Sequence, residues 1–219
     1  MVTKVILYAK KVFFCLILYL SAHSYSSIPT MIKVAVFASG KGSNALQIIR
    51  HFKGSNTVKI ALIVSSKKDA GVLEIANDNN IPSIILDKTA FVSTNEYVDL
   101  LQKEGINFIV LAGFLWKVPS SLIKAYPQKI INIHPALLPN YGGKGMYGHF
   151  VHEAVIAAKE KQSGITIHYV DELYDHGATI FQAFCDISET ETPDTLAEKI
   201  HLLEHAYFPG IIEKVLSGD

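Results

Sequence analysis

From residue 32 onward, short unbroken apolar runs alternate with stretches in which apolar residues recur every three or four positions. Residues 32–37 (IKVAVF), 58–64 (VKIALIV), 82–86, 107–111 (NFIVL) and 130–133 are runs of the first kind. Strands buried on both faces read this way. Residues 44–51, 70–79 and 95–103 are amphipathic stretches between them, the pattern of helices that carry the chain from one parallel strand to the next. The later part of the chain changes character. A helix over roughly 148–159 leads to two closely spaced strands, 164–170 and 179–187, which pair as in a hairpin. A long helix over 193–217 follows, with Thr192 as its N-cap, Pro193 at the first helical position and Gly218 beyond its end. The fold predicted is α/β: one domain around a doubly wound, mostly parallel sheet. Ligands of such sheets bind outside the carboxyl ends of the strands, so the residues at those ends are where chemistry is sought.

Composition narrows the picture. The chain has 219 residues, with 20 Lys+Arg balancing 20 Asp+Glu. That balance argues against a general electrostatic grip on nucleic acid or membrane. The two cysteines, Cys15 and Cys185, can build neither a disulfide framework nor a four-ligand zinc site. Charge is unevenly spread, however. Residues 1–30 hold Lys4, Lys10 and Lys11 and no acid, so residues 31–219 are acidic by three charges. The apolar run 12–20 is far shorter than the ~20 residues that span a bilayer. A basic start, a short apolar stretch and small residues near Ala22 resemble a secretory signal. Because Met31 directly precedes the first strand, residues 1–30 are expected to be an extension outside the working domain. A start placed too early is the first explanation and organelle targeting the second, leaving 31–219 as the functional domain.

Three strand ends carry candidate chemistry. The first strand runs into Ser39-Gly40-Lys41-Gly42-Ser43-Asn44, where glycines permit a tight turn and a helix N-terminus presents free N–H groups to an anion. The loop also satisfies the dinucleotide fingerprint as a pattern. The second strand nevertheless ends in Ser65-Ser66-Lys67-Lys68 rather than an acid, so a phosphate, most simply a monophosphate, is the expected ligand. The fourth strand ends in Leu111-Ala112-Gly113-Phe114-Leu115-Trp116-Lys117, an apolar lip suited to a flat heterocycle, although ordinary loop packing reads the same way. The fifth strand runs into Asn132-Ile133-His134-Pro135. The two-residue period places Asn132 and His134 on one side of an extended chain, as an amide donor and an imidazole able to stabilise an oxyanion and move a proton. Asp175, in the turn-rich stretch Asp171-Glu172-Leu173-Tyr174-Asp175-His176-Gly177, is the candidate acid partner of His134. His201 and His205 flank Glu204 on the last helix. Surface polarity or a phosphate contact is expected there before a metal.

Taken together, SGKGSN, LAGF, NIHPALLP, DELYDHG and LEHAYFP, in that order from about Ile32 to Val215, closely resemble the phosphoribosylglycinamide formyltransferase family, the folate-dependent transformylases of purine synthesis. The resemblance implies transfer of a formyl group from 10-formyltetrahydrofolate to the amino group of glycinamide ribonucleotide. Asn132, His134 and Asp175 would form the catalytic trio. Gly42, Ser43 and Asn44 would hold the substrate phosphate, with His201 and Glu204 as further substrate contacts. Leu115, Trp116, Lys117, Val118, Asn132 and Asp171 would meet the folate, and no metal is implied. His134 is expected as an imidazolium kept charged by Asp175. The implied partners are the two small molecules alone, with neither nucleic acid nor membrane, and the implied form is a monomer or homodimer in the cytoplasm. Two departures stand out. The family often has an arginine before the helix at 95–103, whereas this chain has Phe91-Val92-Ser93-Thr94-Asn95 there and its sole arginine at Arg50. Trp116 also occupies a position where a basic residue is common. The glycine-rich stretch 141–147 is expected to be a mobile lid.

Overall fold

The computed structural model describes residues 31–218, so expectations for residues 1–30 fall outside it. Strand β1 (Ile32–Ala38) shows why the sheet needs cover on both sides. Its alternate residues Val34, Val36 and Ala38 enter one core, while Ala35 and Phe37 enter another on the opposite face. Strand β4 (Phe108–Leu111) divides itself the same way. The remaining strands are β2 (Val58–Ser65), β3 (Ser83–Ile85), β5 (Ile130–His134), β6 (Gln162–Tyr169) and β7 (Thr179–Asp186). They lie in the order β3-β2-β1-β4-β5-β6-β7. The first five are mutually parallel, β6 runs antiparallel to β5, and β7 antiparallel to β6. The chain reverses its winding between β1 and β4, whose following loops are therefore neighbours.

On one face pack α1 (Ser43–His51), α2 (Val72–Asp78), α6 (His149–Ala157) and α7 (Pro193–Ser217), contributing Ile48, Val72, Val155 and Phe208 among others. On the other lie α3 (Lys88–Ser93), α4 (Glu96–Lys103) and α5 (Ser120–Ala125), contributing Phe91, Leu101 and Leu122. The end signals of α7 act as the sequence indicates. Thr192 and Thr195 close a reciprocal capping box, Pro193 opens the helix, and Gly218 ends it in the left-handed region. Two short helices lie outside the sequence expectation. Helix α3 lies in the stretch just before the helix expected at 95–103, because the Asp87 carboxylate accepts from the Ala90 N–H and Phe91 turns inward. Helix α5 is one short turn pair, too brief for periodicity to reveal.

The ladder between β6 and β7 depends on a missing side chain. A Cβ at Gly164 would overlap the Ala183 carbonyl oxygen and lie 2.8 Å from Leu137 Cδ2. Gly210, inside α7, faces open space. Accordingly, Gly164→Ala should lower stability by about 2–4 kcal/mol. Gly210→Ala should instead raise it by up to ~1 kcal/mol. Urea denaturation of both variants checks the pair, and a neutral Gly164→Ala would contradict the strand geometry.

Candidate active site

At the carboxyl end of β5, His134 is 3% exposed and clamped on both ring nitrogens. Its Nε2–H donates to the Tyr141 carbonyl at 2.7 Å, and Nδ1 lies 3.6 Å from Asp175 Oδ2. The second distance is too long for a direct hydrogen bond and suits an ion pair or a bridging water. Asp175 adopts φ 51°, and its Oδ2 accepts from the Gly143 N–H at 2.8 Å. Gly177 makes that turn possible, since a Cβ there would overlap the Tyr169 carbonyl oxygen. His134 and Asp175 thus face each other, and Asn132 stands two residues before His134 on the same strand.

A fourth side chain joins them. His168 on β6 pairs in register with Asn132 and is buried. Its Nδ1–H donates to the Tyr169 carbonyl at 2.7 Å, which leaves Nε2 to accept from Asn132 Nδ2 at 3.1 Å. This orients the Asn132 amide with one N–H still free. Asp175 Oδ1 stands 3.7 Å from the same His168 Nε2. Sequence reasoning overlooked His168. The only trace of it lay in Thr166 and His168 sharing a face of β6, and that becomes informative only with the β5–β6 register.

The charge expected on His134 needs correction. Burial pushes its pKa below the ordinary value, opposed by the Asp175 carboxylate and the Tyr141 carbonyl. The unliganded ring is therefore neutral at neutral pH, with its proton on Nε2 and an available lone pair at Nδ1. His168 is likewise held down by burial.

The loop after β1 lies beside α7. Gly42 caps α1 at φ 82°, and a Cβ there would come within 2.8 Å of Val72. Asn44 Nδ2 donates to Glu204 Oε2 at 2.8 Å, while Asn44 Oδ1 is buried without a hydrogen-bond partner. Glu204 is only 6% exposed, which overturns the surface-polarity reading of this acid. Burial pushes its carboxyl pKa up, with Asn44 and His201 pulling against it. His201 is exposed and its ring stacks on His205 at 6.4 Å. Ser43 opens α1 on the exposed side of the loop.

The residues expected to meet a folate separate into two kinds. Leu115 is 40% exposed, and the Lys117 ammonium lies 5.6 Å from the Tyr174 ring centroid. Trp116 packs on Phe91 and Phe114, with the Lys88 ammonium 5.8 Å from its ring. Val118 turns its side chain into the core and, beside Lys117, lines the cavity at residues 92–95. Asp171 accepts from His176 Nδ1 and the Leu173 N–H, both at 2.7–2.8 Å, and so shapes the turn leading to Asp175. This cavity, of about 400 Å³, opens between Val92–Asn95 and Lys117–Ser121, with Thr94 on its wall. Ser39 ties these loops together. Its N–H donates to the Gly113 carbonyl at 3.0 Å, and its hydroxyl accepts from the Leu115 N–H at 3.1 Å and meets Ser66 Oγ at 2.5 Å.

Residues 32–212 match the family model described as formyl transferase. The chain belongs to the formyl transferase family. Within that family it is 37% identical to a phosphoribosylglycinamide formyltransferase of Bacillus subtilis, over 85% of this chain and 95% of the relative. It is 40% identical to the chloroplastic phosphoribosylglycinamide formyltransferase of Arabidopsis thaliana over 84% of this chain, and spans 65% of that relative's length. Among solved structures, the phosphoribosylglycinamide formyltransferase of Bacillus halodurans superposes with a TM-score of 0.77 at 39% identity, covering 84% of this chain and 95% of that one. The seven-stranded, mostly parallel formyl transferase sheet is thus common to both. Among the described residues, no helix is long and apolar enough to cross a membrane.

The buried imidazoles of this formyl transferase also make its stability respond to acid. Burial, followed by repulsion from His201, His149 and His134, brings the His152 pKa down from 6.5 to about 4. The folded protein then refuses a proton that the unfolded chain accepts. Stability is fully present above about pH 6.5 and is lost as pH falls toward 4. The raised Glu204 carboxyl contributes with the opposite sign. Replacing His152 with Asn should flatten the fall in urea midpoint between pH 6.5 and 5, whatever its effect at pH 8. An unchanged pH dependence would mean that His152 titrates normally in the fold.

Proposed function

We propose that this chain transfers the formyl group of 10-formyltetrahydrofolate to the amino group of glycinamide ribonucleotide, a step of purine biosynthesis. The observation that carries this reading is the meeting of Asn132, His134 and Asp175 at the end of β5, with Nδ1 of a nearly inaccessible His134 3.6 Å from a carboxylate oxygen. The names of the relatives at 37–40% identity support formyl transfer to the phosphoribosylglycinamide acceptor. On this reading the ribonucleotide phosphate rests on Gly42, Ser43 and Asn44, with Glu204 and His201 beside it. The folate lies along Leu115, Trp116 and Lys117, its pterin toward the turn from Asp171 to Asp175 and its acidic tail toward the cavity at Thr94.

The chemistry follows from where charge develops. The neutral amine forms a bond to the formyl carbon, and negative charge moves onto the formyl oxygen. The free N–H of Asn132, held in place by His168, donates to that oxygen. His134 gains its proton as the charge builds, and Asp175 compensates the resulting imidazolium. One amine proton passes through Asp175 and His134 to the folate nitrogen as its bond to the formyl carbon breaks, so that tetrahydrofolate and the formylated amide leave. No step calls for a metal. Two small molecules suffice as partners, and the chain acts in the cytoplasm as a monomer or homodimer, without nucleic acid or membrane.

A formyl-transfer assay with the two substrates tests the reading. Purified, folded protein should turn over, and absence of turnover would refute the assignment. His134→Ala and Asp175→Ala should abolish activity while ribonucleotide binding by calorimetry stays within a few-fold. Asn132→Ala should lower kcat by roughly 10²–10³, as for loss of one oxyanion donor. Near-normal kcat in any of the three would show that the centre lies elsewhere.

A further inference from the structure

The ring of His134 is held by a carbonyl that itself needs holding. Tyr141, which supplies that carbonyl, adopts φ 56°, a left-handed conformation that costs a non-glycine residue free energy and persists only where its surroundings impose it. Two contacts of its side chain do so. The aromatic ring packs against the core on the α6–α7 side of the sheet. The phenol hydroxyl donates to Glu160 Oε1 at 2.6 Å, a short charge-assisted hydrogen bond. Glu160 is in turn anchored beyond the end of α6, its N–H donating to the Val155 carbonyl at 3.4 Å. The bond lies in a cavity of about 530 Å³, lined also by Leu137, Asn140, Gln162 and Asp186, and outside the reacting trio. Two residues further on, Gly143 donates to Asp175, so the segment that Tyr141 anchors touches both members of the His134–Asp175 pair. Gly142 between them has no room for a side chain, since a Cβ would lie 2.5 Å from Leu138 Cδ2 and 3.2 Å from Asp175 Cβ.

We infer that Tyr141 and Glu160 form a positioning pair for the formyl-transfer reaction. By pinning the loop backbone to the α6–β6 connection, their hydrogen bond fixes the Tyr141 carbonyl on His134 Nε2 and so keeps the proton off Nδ1, the nitrogen that faces Asp175. Neither side chain touches the reacting atoms. Their influence passes through the orientation and tautomer of His134, so it falls on turnover and spares substrate affinity. The inference rests on the proposed role of His134 in formyl transfer.

The pair is tested with Tyr141→Phe, Glu160→Ala, Glu160→Gln and the Tyr141→Phe/Glu160→Ala double variant. Because small misplacements of reacting groups are expensive, Tyr141→Phe and Glu160→Ala should each lower kcat by about 10-fold, with both KM values within about twofold of wild type. The double variant should be no slower than either single one. Glu160→Gln keeps an oxygen acceptor and should recover most of the rate. Nitrogen NMR of the imidazoles gives a readout independent of turnover: the Nε2–H of His134 should be slowly exchanging in the wild type and exchange faster in Tyr141→Phe. Wild-type kcat in Tyr141→Phe, multiplicative losses in the double variant, or Glu160→Gln as slow as Glu160→Ala would each overturn the inference. Should the wild type itself fail to transfer formyl groups, the functional reading falls. The NMR comparison then decides the positioning pair alone, unchanged exchange in Tyr141→Phe overturning it.

Discussion

The carboxylate of Asp175 faces two buried imidazoles and one backbone N–H, and these come from three separate segments of the chain. His134 closes β5, His168 lies on β6, and Gly143 lies in the glycine-rich loop between α6 and the β5 exit. Burying one charge among weakly polar neighbours is costly unless its oxygens are satisfied. Here both oxygens face nitrogen-bearing groups, so the loop 171–178, the β5–β6 register and the conformation of residues 141–143 hold one another in place. Removing the carboxylate would leave two inward-facing rings and a loop amide without the group toward which they are arranged. The reactive geometry is therefore a property of the antiparallel half of the sheet as much as of the parallel half.

This explains which parts could be read from the chain itself. Parallel strands β1, β2, β4 and β5 were legible because burial on both faces leaves unbroken apolar runs. Helix α7 was legible because Thr192, Pro193 and Gly218 each answer a need of a helix end. Asn132 and His134 were legible because two-residue spacing at a strand end is local information. Other features depend on pairings distant in sequence. His168 meets Asn132 only through the β5–β6 register, across 36 positions. Glu204 reads as a polar position on a helix until Asn44, 160 positions away, accounts for its burial. Val118 and Leu115 stand three apart in one loop, yet only packing decides that the first enters the core and the second stays exposed. The neutral state of His134 is likewise a matter of burial, which no spacing rule contains.

Membership of the formyl transferase family accounts for the fold of this chain. Its aromatic cluster of Phe91, Phe114 and Trp116 fills space beside the cavity at Thr94, with Lys88 and Lys117 as the cations near its edges. Lysine presents a point charge on a flexible stem, whereas arginine offers a planar fork. Recognition of an acidic group by these lysines would consequently be less directional than recognition by an arginine.

Ser39 is a small residue at the winding reversal, yet its backbone and hydroxyl connect the ends of β1, β2 and β4. The loop that begins at Gly40 and the lip that begins at Leu115 are thereby fastened to one point of the sheet. Two molecules held on those loops would be spaced by the pitch of neighbouring parallel strands, about 4.8 Å apart at their roots. On the proposed reading the sheet serves as a ruler: the separation of donor and acceptor would be set when the core forms, before either molecule arrives.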